Sequence, residues 1–294
     1  MKFIALLLLH EMCSVLSDMV GAKSKQVNST DKLGQHDIIE DAAYIVSVHN
    51  KYNDRVCTGF FIDSKWVLTA AYCFDGGKVK KCTIKFGITD YSNNTKNYVN
   101  SKKIYIHPDY DNKTFTDNLA LIKVKLSKKE AKQIKVLEAD DYGFTWKILF
   151  REKKNCTALG YGRNSNDDTM LHATNLITRY DAGACGCFTN DKKFLCAKAA
   201  NPKSEICFED FGGPLICNGL VVGVTNHLLH CGQKDNKVCG KESYYRFAYL
   251  CAYFRWIHGF VDSFQDQCVT YKLLSSSRYH AIPAIHIILM SVRN

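Results

Sequence analysis

Short apolar stretches alternate with polar turns along most of this chain. Runs rich in β-branched and aromatic residues occur at 44–48, 59–62, 66–70, 83–87, 103–107, 120–124, 156–161 and 220–224. Many short strands separated by turn signals predict an all-β sandwich or barrel. One segment differs, because apolar residues recur at helical spacing over 252–264 and predict a helix there.

Three of these segments carry motifs that bear on chemistry. Residues 66–73 read W-V-L-T-A-A-Y-C, residues 117–123 read D-N-L-A-L-I-K and residues 207–215 read C-F-E-D-F-G-G-P-L. They resemble W-V-L-T-A-A-H-C, D-I-A-L-I-K and C-x-G-D-S-G-G-P-L, the segments that hold the catalytic residues of trypsin-type serine proteases. By this resemblance, Tyr72 stands at the position of the general-base histidine. Asn118 stands at that of the orienting aspartate and Phe211 at that of the nucleophilic serine.

The resemblance extends over residues 38–264. Residues 106–110 read I-H-P-D-Y, and residues 247–257 resemble the family pattern Y-T-x-V-C-x-Y-x-x-W-I. It implies an all-β fold of two six-stranded antiparallel β-barrels, with a catalytic cleft between them and a C-terminal helix.

The substitutions remove each chemical role of the triad. A phenol such as that of Tyr72 is a poor general base at neutral pH, and the neutral amide of Asn118 cannot stabilise an imidazolium. Phe211 offers no nucleophile. Asp117 does not replace Asn118, since neighbouring side chains of a strand point to opposite faces. We therefore expect a protein without protease activity.

The resemblance also locates the groups that would support catalysis. Glu209 replaces the glycine whose N–H helps to form the oxyanion hole, where its carboxylate would oppose negative charge. Asp210 is retained and is expected to hold its loop. The positions of the former specificity pocket carry Glu205, His227, Leu228 and Tyr245. We expect the bulky residues to fill this pocket and Glu205 to be paired or solvent-facing.

Both ends of the chain lie outside the resemblance. Residues 1–22 contain Lys2, an apolar run at 3–9 and small residues at 20–22, which predict a signal peptide. Residues 23–37 are predicted to be a polar leader, with no recognisable activation cut. The tail at 265–294 has an apolar stretch too short to cross a bilayer. We therefore predict a secreted, extracellular protein.

Cysteines and sequons agree with secretion. The chain has 14 cysteines, which suit an oxidising compartment. If Cys13 leaves with the signal peptide, an odd number remains, so one thiol is free or joined to another chain. Glycosylation candidates are Asn28, Asn93 and Asn112, whereas the sequon at Asn155 adjoins a cysteine expected to be bridged.

The resemblance implies particular disulfides. The expected bridges are Cys57–Cys73, Cys156–Cys217 and Cys207–Cys231, with Cys196 joined to Cys185 or Cys187. It leaves Cys82, Cys239, Cys251, Cys268 and the other of Cys185 and Cys187 unassigned.

The formal net charge is +10, with lysines concentrated at 78–81, 102–103 and 123–135. These form either a basic face for sulfated glycans or acidic partners, or solvated loops that keep the protein soluble. No nucleic-acid motif accompanies the charge. His227 and His230 could offer two metal ligands, but the adjoining Cys231 is expected to be bridged and no third ligand is evident, so we expect no metal and no cofactor.

These observations predict an inactive protease homologue that binds other secreted proteins, such as proteases, inhibitors or seminal-fluid proteins. Its composition and divergence resemble the insect-type homologues, which implies reproductive fluid as the first setting. The alternatives are a cofactor of an immune protease cascade in haemolymph, a disulfide-linked structural or adhesive protein, and a residual hydrolase that uses other residues.

Overall fold

The computed structural model describes residues 42–77, 79–92, 95–139, 153–162, 169–188, 192–200, 211–231 and 243–264. The strands, in chain order, are β1 (Ile45–His49), β2 (Arg55–Asp63), β3 (Trp66–Thr69), β4 (Thr83–Phe86), β5 (Tyr98–Asn100), β6 (Lys103–Ile106), β7 (Ala120–Lys123), β8 (Lys154–Gly160), β9 (His172–Arg179), β10 (Phe194–Ala199), β11 (Pro214–Cys217), β12 (Leu220–His230) and β13 (Ser243–Tyr249). Single 3-10 segments cover Ala71–Gly77, Glu130–Lys132 and Leu250–Tyr253, and one helix, α1, covers Phe254–His258.

The first seven strands form one antiparallel sheet in the order β5-β4-β1-β2-β3-β7-β6. Its two edge strands are consecutive in the chain and are separated only by Ser101 and Lys102. Ser101 N donates to Cys82 O at 2.9 Å, and Lys102 N donates to Lys123 O at 2.7 Å. One interrupted strand thus pairs with β4 on one side and β7 on the other, and the sheet curls upon itself.

The remaining six strands close into a barrel in the order β10-β13-β12-β11-β8-β9. The all-β, trypsin-like fold is therefore confirmed. Only the second of the two expected barrels is closed by strand pairing. The first is a curled, seven-stranded half-barrel in which one strand is split into β5 and β6, and we call it the first barrel.

Period-two alternation divides the apolar residues between the two faces of each sheet. Val46, Phe61 and Ile122 belong to a cluster inside the first barrel, and Leu215 and Phe247 to one inside the second. Alternate residues of the same strands form a third cluster between the barrels and α1. This cluster includes Phe60, Leu68, Leu121, Leu159, Val224 and Ile257. These three layers form most of the core of the described residues, and a fourth, small cluster consists of Ala184, Cys185, Cys196 and Leu229.

Hydrogen bonds join the two barrels at a contact that we call the barrel seam. Thr58 N donates to Phe211 O at 3.1 Å, and Tyr161 N donates to Thr58 Oγ1 at 3.1 Å. Gly212 has a φ of +88° and lies so close to Thr58 O and Thr69 Oγ1 that any Cβ would collide with them. Only glycine suits this conformation and this space, so the seam holds Phe211 beside the first barrel.

The predicted C-terminal helix is shorter than 252–264, because α1 ends at His258 and Gly259 follows it. Separate turns continue the apolar spacing: Val261 N donates to Ile257 O at 3.0 Å, and Phe264 N to Val261 O at 2.9 Å. The helical period in the sequence therefore reflects a series of turns that bury one side. Among the described residues, no helix is long and apolar enough to cross a membrane.

Two of the expected disulfides, Cys57–Cys73 and Cys156–Cys217, are present, and Cys196 pairs with Cys185. The expected bridge between Cys207 and Cys231 is wrong, because Cys231 pairs with Cys187.

The reason for this correction lies in the turn that follows β9. That turn carries Cys187 to the end of β12, where Cys187 N also donates to Cys231 Sγ. Cys207 lies outside the described residues, as do Cys239 and Cys268. Cys251 is disulfide-bonded as well.

Within the described part of the chain, the free thiol is that of Cys82, which is buried at 4% exposure. Burial raises the pKa of this thiol to about 12, and a hydrogen bond with Ser101 opposes that shift to a smaller extent.

We expect iodoacetamide at about pH 8 to leave Cys82 unmodified in the native protein, since the thiolate is the nucleophile. After unfolding, a second isotopic form of the reagent should label it, and peptide mass spectrometry distinguishes the two labels. Labelling of the native protein as fast as that of the unfolded chain would contradict this burial.

A filled cleft at the candidate active site

The three positions that match the catalytic motifs lie together between the barrels. Tyr72 lies in the 3-10 segment after β3, Asn118 just before β7, and Phe211 before β11. Tyr72 N donates to Asn118 Oδ1 at 2.8 Å, and the ring centroids of Tyr72 and Phe211 are 4.6 Å apart. The three positions therefore lie together as the motifs predict, but they carry Tyr72, Asn118 and Phe211 in place of histidine, aspartate and serine.

Asn118 is fully buried, and only one of the two polar atoms of its amide forms a hydrogen bond. Its Oδ1 accepts the Tyr72 N–H, whereas its Nδ2 has no hydrogen-bond partner in the described structure. An unsatisfied buried donor costs about 1–3 kcal/mol. A carboxylate at this position would accept the Tyr72 N–H and leave no donor unsatisfied, but it would place a charge at a fully buried position.

Two more rings complete an aromatic cluster that we call the aromatic plug: Tyr72, Phe115, Phe211 and His227. Phe115 stacks on His227 with centroids 4.7 Å apart, and it lies 5.5 Å from Tyr72 and 6.1 Å from Phe211. Such offset and tilted pairs contribute about 0.5–1.5 kcal/mol each beyond their buried area. The plug occupies the place where nucleophile and base would meet a substrate.

The loop at 111–118 brings Phe115 into the plug through an unusual backbone. Phe115 and Asp117 have φ values of +55° and +51°, in the left-handed region that non-glycine residues seldom adopt. Each such residue costs about 1–3 kcal/mol and persists only where its surroundings impose it. Sequence analysis missed Phe115, because neither its period nor its neighbours signal this conformation.

Three side chains of the second barrel hold this loop, and we call these contacts the latch. Asn226 Nδ2 donates to Phe115 O at 2.8 Å, and Arg246 Nη2 donates to Thr114 O at 2.8 Å. Lys193 Nζ lies 2.6 Å from Asp117 Oδ1. The latch crosses from one barrel to the other and offsets the strain of the loop.

Asp117 does not take the place of Asn118, as expected, but the reason is not strand alternation. Asp117 lies in a left-handed turn before β7. Its side chain is only 7% exposed, and its carboxylate pairs with Lys193. It also faces His107, whose pKa is lowered by burial and, to a smaller extent, raised by Asp117. The carboxylate is thus committed to the latch.

The described positions of the former specificity pocket differ in what their side chains contact. His227 faces the cleft and belongs to the plug. Tyr245 is 5% exposed and packs with the cluster inside the second barrel, where burial raises its pKa to about 12. Leu228 is its cross-strand partner and packs against the same cluster.

Several predicted site residues lie outside the described residues, namely Glu205, Glu209, Asp210, Asn28 and Asn93. Of the other sequons, Asn112 is exposed and lies at the start of the latch loop. Among the described residues, no group of three acidic, histidine or cysteine side chains is arranged to hold a metal ion.

Comparison with known proteins agrees with this geometry. The Trypsin family model matches residues 33–257. Human Kallikrein-7 is 24% identical over 217 residues, which cover 70% of this chain and 78% of that protein. Chymase from Rattus norvegicus is 26% identical over 251 residues, covering 81% and 95%. Trypsin from Xenopus laevis is 23% identical over 228 residues, covering 75% and 86%. The chain belongs to the trypsin family of serine proteases.

The latch generates a stability prediction. We expect Lys193→Met to lower the free energy of unfolding by about 1–2 kcal/mol, because it leaves the nearly buried Asp117 carboxylate unpaired while Lys193 itself is partly screened by solvent. Denaturant unfolding measures the change, and limited proteolysis after Lys113 should accelerate.

The matched control is Lys192→Met, which removes the neighbouring exposed lysine and should change stability by less than about 0.5 kcal/mol. Equal effects of the two substitutions would show that the ion pair does not hold the loop.

Proposed function

We propose that this protein is a secreted, catalytically inactive member of the trypsin family that acts by binding other extracellular proteins. The observation that carries the proposal is the aromatic plug. Tyr72, Asn118 and Phe211 meet where an active member would have base, orienting carboxylate and nucleophile. None of the three supplies the group that acyl transfer requires at its position.

The plug and the latch also oppose substrate entry. A peptide would have to displace Phe115 and His227, whose rings are in stacked contact. The loop that carries Phe115 is bound by three side chains of the opposite barrel. Opening the cleft would therefore break several contacts at once, which supports a scaffold role over a residual hydrolase.

The turn at 181–188 supports binding of a protein partner. Two disulfides clamp it, Cys185–Cys196 and Cys187–Cys231. It presents Phe188 to solvent with 37% of its surface exposed. A rigid exposed aromatic side chain is typical of interface hot spots, because little conformational entropy is lost when it is covered.

Secretion is supported by the four disulfides between described cysteines and by the predicted signal peptide, which lies outside the described residues. Reproductive fluid as the first setting, and an immune cascade as the second, rest on the resemblance to insect-type homologues. The relatives named above are vertebrate and bear only on the family. The buried Cys82 argues against this thiol as a link to another chain.

The catalytic part of the proposal is tested with peptide esters and a fluorophosphonate probe. We expect neither hydrolysis nor labelling, with an active trypsin as the positive control, because Phe211 offers no nucleophile. We also expect Tyr72→His/Asn118→Asp/Phe211→Ser to stay far below trypsin-like rates, since Phe115, His227 and the latch remain. Stoichiometric labelling of the natural protein in the cleft would overturn the proposal.

The binding part is tested on partners found by cross-linking and mass spectrometry in the native secretion. We expect Phe188→Ala to weaken partner binding by roughly tenfold or more, the size of a hot-spot effect. Tyr52→Ala is the matched control, because Tyr52 is exposed on the β1–β2 turn of the other barrel. If Phe211→Ser abolishes binding while Phe188→Ala leaves it intact, the plug itself is the binding surface.

A further inference from the structure

Basic side chains from four separate segments gather at one end of the first barrel. Strands β4, β5/β6, β7 and β3 are neighbours there. Backbone hydrogen bonds join Ser101 to Cys82, Lys102 to Lys123, and Val124 to Lys65. The lysines on these strand ends form what we call the lysine row: Lys65, Lys81, Lys102, Lys103, Lys123 and Lys125. All six are exposed.

Acidic side chains of the described residues do not pair with the row. None of its six lysines forms an ion pair within the part of the chain that the structure describes. The acidic residues of the same segments are used locally, since Asp63 accepts the backbone N–H of Lys65 and Glu130 that of Ser127. These carboxylates keep their negative charge, but six exposed lysines outnumber them, so positive charge predominates over four adjacent strands, a distance of roughly 14 Å at the usual strand spacing.

One pair in the row acts against the stability of the sheet. Lys103 and Lys123 lie directly opposite each other on β6 and β7, where like charges are destabilising. Each ammonium group is held over a ring, with Lys103 Nζ 4.6 Å from the Tyr105 centroid and Lys123 Nζ 5.3 Å from that of Trp66. The rings hold two like charges side by side. The two ammonium groups repel each other when no ligand is bound, but both would attract a bound polyanion.

The composition of the row indicates the chemistry of its ligand. It contains lysines and no arginine, so it offers flexible point charges and not the planar forks that pair with individual carboxylates. The large apolar side chains exposed in the described structure all lie elsewhere: Tyr52, Tyr72, Tyr98, Val136, Met170 and Phe188. A protein interface would need such residues at its centre. A linear chain that binds by charge does not.

We propose that the lysine row binds a linear sulfated polysaccharide. The chain would run across the strand ends, with its sulfate groups against successive ammonium groups. This inference rests on the extracellular location in the proposed function but is independent of the state of the cleft. Binding of the purified protein can be measured whatever its location, so failure of this inference and failure of the proposed function are distinguishable.

The test uses the full secreted chain and size-defined heparin oligosaccharides. We expect Lys81→Gln/Lys102→Gln/Lys125→Gln to weaken binding by roughly fivefold for each lysine removed, the effect of one basic residue near an anionic surface. Affinity should fall linearly with salt on logarithmic axes, and with a smaller slope in the variant, because fewer counterions are released.

The matched control is Lys153→Gln/Lys192→Gln/Lys198→Gln, which removes the same charge from the second barrel and should bind almost normally. Equal losses in the two triple variants would mean that only net charge matters, and would overturn the site. Binding of desulfated heparin or poly-glutamate as tightly as heparin would overturn the assignment to a sulfated glycan.

A stability readout separates ligand binding from a structural role. Without heparin, Lys103→Gln should change Tm by less than about 2 °C, because the loss of the like-charge pair and the loss of the cation–π contact with Tyr105 oppose each other. With heparin, the gain in Tm on adding ligand should be smaller for Lys103→Gln than for the natural protein. Equal gains in Tm on adding heparin for Lys103→Gln and the natural protein would contradict the proposal.

Discussion

The arrangement of the cleft depends on one close approach, that of Gly212 to the first barrel. Gly212, which has no Cβ, lies against Thr58 O and Thr69 Oγ1, and Thr58 N donates a hydrogen bond to the carbonyl oxygen of Phe211. Thr225 secures the other side, since it accepts the Gly212 N–H at 3.0 Å and donates to Gly213 O. These contacts fix the backbone at residue 211, so the side chain at this position lies beside Tyr72 whatever its type. The family's geometry survives here because it is set by backbone contacts, which do not depend on the catalytic side chains.

The plug and the latch follow from that constraint. Once an aromatic ring replaces a small polar nucleophile, apolar surface at the cleft is stabilised by covering it, and Phe115 and His227 do so. The latch loop adopts two left-handed residues to reach this position, and Asn226, Arg246 and Lys193 offset the strain. Rings from four segments therefore contact one another across the cleft, with Tyr72 on the solvent side at 47% exposure.

Local motifs predicted much of this structure, and long-range juxtaposition accounts for what they missed. The strands were predicted because each is one continuous run of residues. The resemblance of three such runs to catalytic motifs predicted that Tyr72, Asn118 and Phe211 lie together and that Cys57 pairs with Cys73. Phe115 was missed because a left-handed φ at phenylalanine has no sequence signal. Cys187 was not matched to Cys231 because a turn decides that contact, and 252–264 was read as one helix because turns can repeat its period. The three lysine clusters were visible, but only strand order places one or two lysines of each cluster beside Lys65 in one row.

The latch has a mechanical consequence for the fold as a whole. Two barrels with separate interiors can in principle open or unfold one at a time. Here an ion pair, two side-chain to backbone hydrogen bonds and a stack of rings all cross between them beside the seam. Loss of either barrel would expose the partner's half of each contact, including the carboxylate of Asp117. The two halves are thereby coupled energetically and should melt as a single cooperative unit.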